Sequence, residues 1–281
     1  MLTDVDEAPA PRGRAGRNLP AAIAVGLTLG ALIIGTLYTV RPLFVVVIVA
    51  AITVGTWEMC RAVRKTGAQV PFLPVAVGGA VMIVAGYQRG SEALLFGFVA
   101  TILALLVWRL ADSGPRPLQD VAAGVFVTAY VPFLAGFAAL LTAQQHGAVR
   151  VTAFIATAVC SDTGGYAAGV WKGRHPLAPS VSPKKTWEGL AGSLLACGLF
   201  GILYVSTFLD IAWWEGVLFG LAVTVTATVG DLGESLIKRD IGIKDMGNLL
   251  PGHGGMMDRL DSLLITAPVC WLLLTAFAPV S

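Results

Sequence analysis

The chain has 281 residues, of which 56% are hydrophobic and 13% charged, and its mean hydropathy is +0.77. A water-soluble domain needs a polar surface that this composition does not supply, so the chain reads as an integral membrane protein. The formal net charge of +2 says little by itself, and nucleic acid is not among the expected partners.

Apolar runs long enough to cross roughly 30 Å of hydrocarbon, at about 20 residues each, recur near 20–40, 43–60, 70–87, 92–111, 119–141, 151–171, 189–209, 213–237 and 260–279. The expected fold is therefore all-α and polytopic, with about nine transmembrane helices in a single membrane-embedded domain over 19–281. Residues 1–18 mix Asp4, Asp6 and Glu7 with Pro9, Pro11, Arg12, Arg14 and Arg17 and carry no apolar periodicity, which predicts a disordered cytoplasmic tail. The first apolar run is too long for the hydrophobic region of a signal peptide and reads as a retained helix. Glu58 closes the second run just before Arg61, Arg64 and Lys65, where pairing with Arg61 or Arg64 is the expected role. Segments three to five hold little polarity beyond Ser, Thr, Tyr130 and Pro132 and read as scaffold and lipid-facing wall.

The sixth segment, VTAFIATAVCSDTGGYAAGVW, is different because Asp162 lies near its centre, between Ser161 and the pair Gly164 and Gly165. An ionisable side chain at that depth costs about 3 kcal/mol on insertion scales and usually faces a polar cavity or a partner. The next loop, WKGRHPLAPSVSPKKTWEG, places Ser182 and Pro183 as N-cap and first residue of a helix. Lys184 and Lys185 would then occupy its first turn, where the helix dipole disfavours cations unless an anion gathers both lysines and the free N–H groups. Glu188 is expected to pair with Lys185. His175 reads as a solvated loop residue, and His146 as exposed on the outer side.

The densest polar stretch, GDLGESLIKRDIGIKDMGNLLPGHGGMMDRLDS, runs from Gly230 to Ser262 between two apolar segments. Asp231, Glu234, Ser235 and Lys238 recur at three- and four-residue intervals and so share one helix face. Gly242, Gly247, Gly252, Gly254 and Gly255, with Pro251, break the helix and expose backbone N–H groups suited to an anion such as phosphate. Asp258, Arg259 and Asp261 open the last helix. If the hairpin folds back, Asp231 and Asp258 come face to face. His253, beside Gly254 and Gly255, suits either a phosphate hydrogen bond or a turn.

Placement of charge orients these segments. With the tail in the cytoplasm, all of the 19 Lys and Arg residues except Arg41, Arg89 and Arg150 fall in the tail or the even-numbered connections, the positive-inside pattern. Both richest polar loops, around 172–188 and 238–259, then face the cytoplasm. Cys60, Cys160, Cys197 and Cys270 are far apart and beside apolar segments, which supports neither a disulfide framework nor a zinc site.

The run Ser235, Lys238, Arg239, Lys244, Asp245, Pro251, His253, Gly254, Gly255, Asp258, Arg259 and Asp261 resembles the signature of the CDP-diacylglycerol synthases (phosphatidate cytidylyltransferases). The SDTGGY and SPKKTWEG segments are similar to two further segments of that family. The resemblance implies transfer of a cytidylyl group from CTP to phosphatidate, giving CDP-diacylglycerol and pyrophosphate; the spans and the placement of charge lead to the expectation of a multi-pass enzyme of the inner membrane whose cavity opens to the cytoplasm. The resemblance also implies a homodimer.

Nucleotidyl transfer needs a neutralised triphosphate, an aimed acceptor oxygen and a stabilised leaving group. Magnesium takes hard oxygen ligands, usually one or two carboxylates plus phosphate oxygens. The expected ligands are Asp231 and Asp258, followed by Asp162 and Asp261, with a second cation left open. Lys238 and Arg259 join Asp231 and Asp258 as expected catalytic residues. Ser161, Asp162, Ser182, Lys184, Lys185, Thr186, Ser235, Arg239, Lys244, His253, Gly254 and Gly255 are the expected substrate contacts. Two other readings use similar groups: a CTP-dependent lipid kinase and an ion-coupled transporter. The long signature disfavours the first, and the lack of an internal repeat disfavours the second.

Overall fold

The computed structural model of the chain describes residues 19–112, 115–249 and 254–279; the expected tail over 1–18 and His253 lie outside them. The described residues build nine helices, α1 (Leu19–Thr39), α2 (Arg41–Val63), α3 (Phe72–Arg89), α4 (Ser91–Ala111), α5 (Pro117–Ala143), α6 (Gly147–Lys172), α7 (Trp187–Leu209), α8 (Trp213–Ile241) and α9 (Met257–Phe277). Between α6 and α7 sits one antiparallel pair, β1 (Pro176–Ala178) and β2 (Ser182–Thr186).

All of these helices except α1 and α6 are long and apolar enough to cross a membrane, which makes seven among the described residues. In α6 the polar stretch from Ser161 to Gly165 interrupts the apolar run. In α1 the apolar helix counted among the described residues is the shorter Ala24–Thr39. The expectation of an all-α membrane protein holds at this level. Leu27, Phe96, Leu110 and Leu203 stand exposed on its outer surface, an apolar coat that hydrocarbon accepts and water does not.

Local chemistry explains the helix ends. Gly242 adopts φ +76° and ends α8, its N–H reaching the carbonyls of Lys238 and Arg239, as a left-handed cap requires. Within α5, the turn Ala129–Phe133 widens into a π-helical turn around Pro132, which has no N–H to offer the regular ladder. At the far end of the bundle, buried Arg150 donates from Nη1 to the carbonyl of Leu274 at 2.6 Å, so a cation satisfies the last turn of α9.

Packing is densest where the polar residues are carried. Helices α6 and α7 lie against each other along their glycine faces. A Cβ on Gly164 would come within 2.8 Å of the Gly192 carbonyl oxygen, and one on Gly189 within 3.0 Å of the Gly165 carbonyl oxygen. Ser193 Oγ donates to the Ser161 carbonyl at 2.6 Å across the same seam. Helices α8 and α9 also touch backbone to backbone, since a Cβ on Gly230 would lie 2.6 Å from the Asp261 carbonyl oxygen. Small residues thus bring the acidic residues of three helices to one level. Met59, Val75, Val131, Phe219, Met257 and Leu274 form the fully buried apolar core beside them.

Candidate active site

The helical start expected at Ser182 is a strand instead. Ser182–Thr186 pairs with Pro176–Ala178, Pro176 opposite Thr186 and Ala178 opposite Ser182, so Lys184 and Lys185 are carried by a hairpin and not by a helix. Ser-Pro suits a strand edge as well as an N-cap, and cross-strand pairing decides. The cap of α7 is Thr186, whose Oγ1 accepts the Gly189 N–H at 3.1 Å. Glu188 does not pair with Lys185; its carboxylate meets His175 Nδ1 at 2.6 Å and accepts the backbone N–H groups of Arg174 and His175. Glu188 therefore closes the base of the hairpin and leaves Lys185 free to point elsewhere.

Lys185 Nζ lies 2.5 Å from Asp231 Oδ2 on α8. This contact closes one side of a cavity of about 510 Å³ walled by α6, the hairpin, α7 and α8. Ser161, Asp162, Ser182, Lys184, Lys185, Thr186 and Asp231 all line it. Residues not singled out from the sequence complete the wall, with Tyr166, Val170, Leu177 and Leu190 apolar or aromatic and Ser193 and Thr228 polar. Thr228 lies three positions before Asp231 on the same helical face, a spacing that could have marked it.

Around Asp231 the charges cluster. Asp162, Lys185 and Asp231 line the same cavity, and the Asp261 backbone packs against Gly230, the residue before Asp231. Acidic residues of α6 and α8 thus meet Lys185 at the cavity, and the backbone contact of Gly230 with Asp261 brings the start of α9 close to them. The buried hydroxyl of Tyr130, presented by the π-helical turn of α5, has no hydrogen-bond partner among the described residues. Pro132 inside an otherwise regular apolar run was the one sequence sign of an irregularity there.

Asp258 has a different set of partners from Asp231. Its Oδ1 accepts from Lys238 Nζ at 2.9 Å, and its Oδ2 accepts the N–H groups of Met246 at 3.0 Å and Gly255 at 2.9 Å. Lys238 Nζ also lies 3.1 Å from Glu234 Oε1, out of line for a hydrogen bond. Both oxygens of the fully buried Glu234 therefore lack a hydrogen-bond partner among the described residues. Asp258 pins the glycine-rich loop to the start of α9, while Asp231 looks into the cavity.

The remaining expected residues that the structure describes are not among those lining this cavity. Arg239 is exposed and its Nε donates to the Val181 carbonyl, tying α8 to the hairpin turn. Lys244 and Arg259 are exposed, while Ser235, Asp261 and Gly254 are partly buried. Gly255 is buried against Asp258. Among the described residues no three His, Cys, Asp or Glu side chains already form a ligand set. The oxygen donors of Asp162, Asp231 and Asp261 are nonetheless of the hard type magnesium prefers, whereas Asp258 would first have to release Lys238 or the loop N–H groups.

Residues 20–277 match the model of the cytidylyltransferase family. The chain belongs to that family. It is 44% identical over 279 residues to the phosphatidate cytidylyltransferase of Mycobacterium leprae, covering 93% of this chain and 89% of that one. The phosphatidate cytidylyltransferase of Mycobacterium tuberculosis is 42% identical over 276 residues, covering 93% and 84%. A chloroplastic phosphatidate cytidylyltransferase of Arabidopsis thaliana is 30% identical over 307 residues, covering 96% and 76%. For a cytidylyltransferase the cavity has suitable chemistry: two lysines for a polyphosphate, carboxylates facing them, and an apolar side wall.

Proposed function

We infer that this chain transfers the cytidylyl group of CTP to phosphatidate, giving CDP-diacylglycerol and pyrophosphate. The observation that carries this reading is the meeting of three remote segments in one cavity: SDTGGY on α6, SPKKT on the hairpin and Asp231 on α8. Lys184 and Lys185, with the hydroxyls of Ser182 and Thr186, bind the triphosphate. Lys185 exchanges its contact with Asp231 for phosphate oxygens. A phosphate oxygen of phosphatidate attacks the α-phosphorus of CTP, and the bond from that phosphorus to the bridging oxygen breaks. Pyrophosphate leaves with the electron pair.

The acceptor is a phosphomonoester already largely ionised at neutral pH, so no strong general base is required and positioning dominates. Arg259 and Lys238, beside Asp261 and Asp258, are suited to hold the lipid phosphate, while the exposed apolar helix faces accept its acyl chains. Asp231 with Asp162 and Asp261 would hold magnesium, which when bound would neutralise charge on the triphosphate. All nine helices cross the bilayer in this reading, α6 with its polar stretch turned to the cavity. The positive-inside distribution of Lys and Arg puts that cavity on the cytoplasmic side of the inner membrane, where a soluble nucleotide reaches it. By family resemblance the enzyme acts as a homodimer.

The test is incubation of the purified protein with CTP labelled in the base, phosphatidate and magnesium. Label recovered in a CDP-lipid supports the assignment. Transfer of the γ-phosphate to lipid without the base would identify a kinase instead.

A further inference from the structure

Glu58 does not pair with Arg61 or Arg64. It is 1% exposed, and Oε2 accepts the N–H of Met257, the first residue of α9, at 2.8 Å. The contact joins positions 199 apart in sequence. A carboxylate at this point satisfies a free N–H of the helix start and opposes its dipole.

Glu58 also sets the shape of the glycine-rich loop. A Cβ on Gly255 would lie 2.7 Å from Oε2 and 2.9 Å from Oε1 of Glu58, and 2.6 Å from the Gly247 backbone nitrogen. A Cβ on Gly247 would run into the same carboxyl group. The loop is therefore held on one side by Glu58 from α2 and on the other by Asp258, which takes the N–H groups of Met246 and Gly255. Gly247 and Gly255 have no side chain because a remote carboxylate fills the space one would need.

We propose that Glu58 is a positioning residue for cytidylyl transfer, fixing the glycine-rich loop and the start of α9 so that Asp258, Arg259 and Asp261 are presented to the reacting groups. The proposal rests on the function inferred above. Among the described residues Glu58 makes no hydrogen bond or ion pair to the hairpin or to a cavity-lining lysine, so its effect falls on the chemical step and not on CTP binding.

The experiment compares Glu58→Gln, Glu58→Asp and Glu58→Ala in the purified full-length enzyme, measuring kcat, KM for CTP and the thermal midpoint. Gln keeps an acceptor oxygen at the right reach, whereas Asp keeps the charge but withdraws it by one methylene. The expected result is at least one-third of kcat for Gln, and a tenfold or greater fall for both Asp and Ala, with KM for CTP within threefold throughout. A role of the charge in the reaction reverses the order of Gln and Asp, and that reversal overturns the proposal, as does an Asp variant within twofold of the parent. Should Ala not yield folded protein, the order of Gln and Asp, each with a thermal midpoint near the parent's, decides alone. A parent enzyme that makes no CDP-lipid overturns the function and this proposal together; an active parent with the wrong order overturns only the proposal.

Discussion

Replacing Lys185 by methionine keeps the length of the side chain and removes its charge. Lys185 Nζ sits 2.5 Å from Asp231 Oδ2, with the two side chains 30% and 22% exposed, so the cation is neither fully solvated nor sealed. A charge-assisted hydrogen bond in such a setting is worth about 1.5–3 kcal/mol. If Lys185 transfers that bond to the triphosphate, the variant loses about that much stabilisation, which corresponds to roughly a 10- to 150-fold fall in kcat/KM for CTP. Arginine at 185 keeps the charge and should recover part of the loss, though its planar fork is not equivalent to an ammonium. The assay is initial-rate CDP-lipid formation at saturating phosphatidate with CTP varied, in detergent micelles of fixed composition. A methionine variant with kcat/KM for CTP within threefold of the parent would refute the role of Lys185 in binding the triphosphate.

Asp231→Asn and Asp258→Asn should each abolish turnover without preventing membrane insertion, but for different reasons. The first removes a charge from the cavity; the second loosens Lys238 and the Met246–Gly255 loop, and so should also lower thermal stability, by about 1.5–3 kcal/mol if the Lys238 bond is lost. Comparing the thermal midpoints of the two purified variants separates these causes. Gly164→Val should disrupt the α6–α7 seam, where a Cβ already meets the Gly192 carbonyl at 2.8 Å; loss of monodisperse protein in size-exclusion chromatography checks it. Chelation of divalent cations should abolish CDP-lipid formation and added magnesium should restore it, read in the same rate assay.

The helical architecture was legible because hydrocarbon imposes it. A run such as Ser91–Ala111 has to satisfy its backbone within itself, and its length follows from bilayer thickness. Glycines and prolines marked several ends, including the cap at Gly242. The polar clusters stood out for the same reason: Asp162 in a span, or the charges from Asp231 to Asp261, are costly in an apolar chain unless something engages them.

Partnership was not legible. Whether Lys185 meets Glu188, three residues on, or Asp231, 46 residues away, depends on the hairpin pairing of Pro176 with Thr186, which turns the lysine towards α8. Whether Glu58 meets a neighbouring arginine or a backbone N–H across the bundle depends on α2 packing against the start of α9. The sequence by itself determined that acids and bases must lie among membrane helices, because composition and spacing are local properties of the chain. Only the tertiary structure decided which of them touch, because a short ion pair or a filled glycine gap requires groups from separate helices to be held within about 3 Å, and no local pattern encodes that distance.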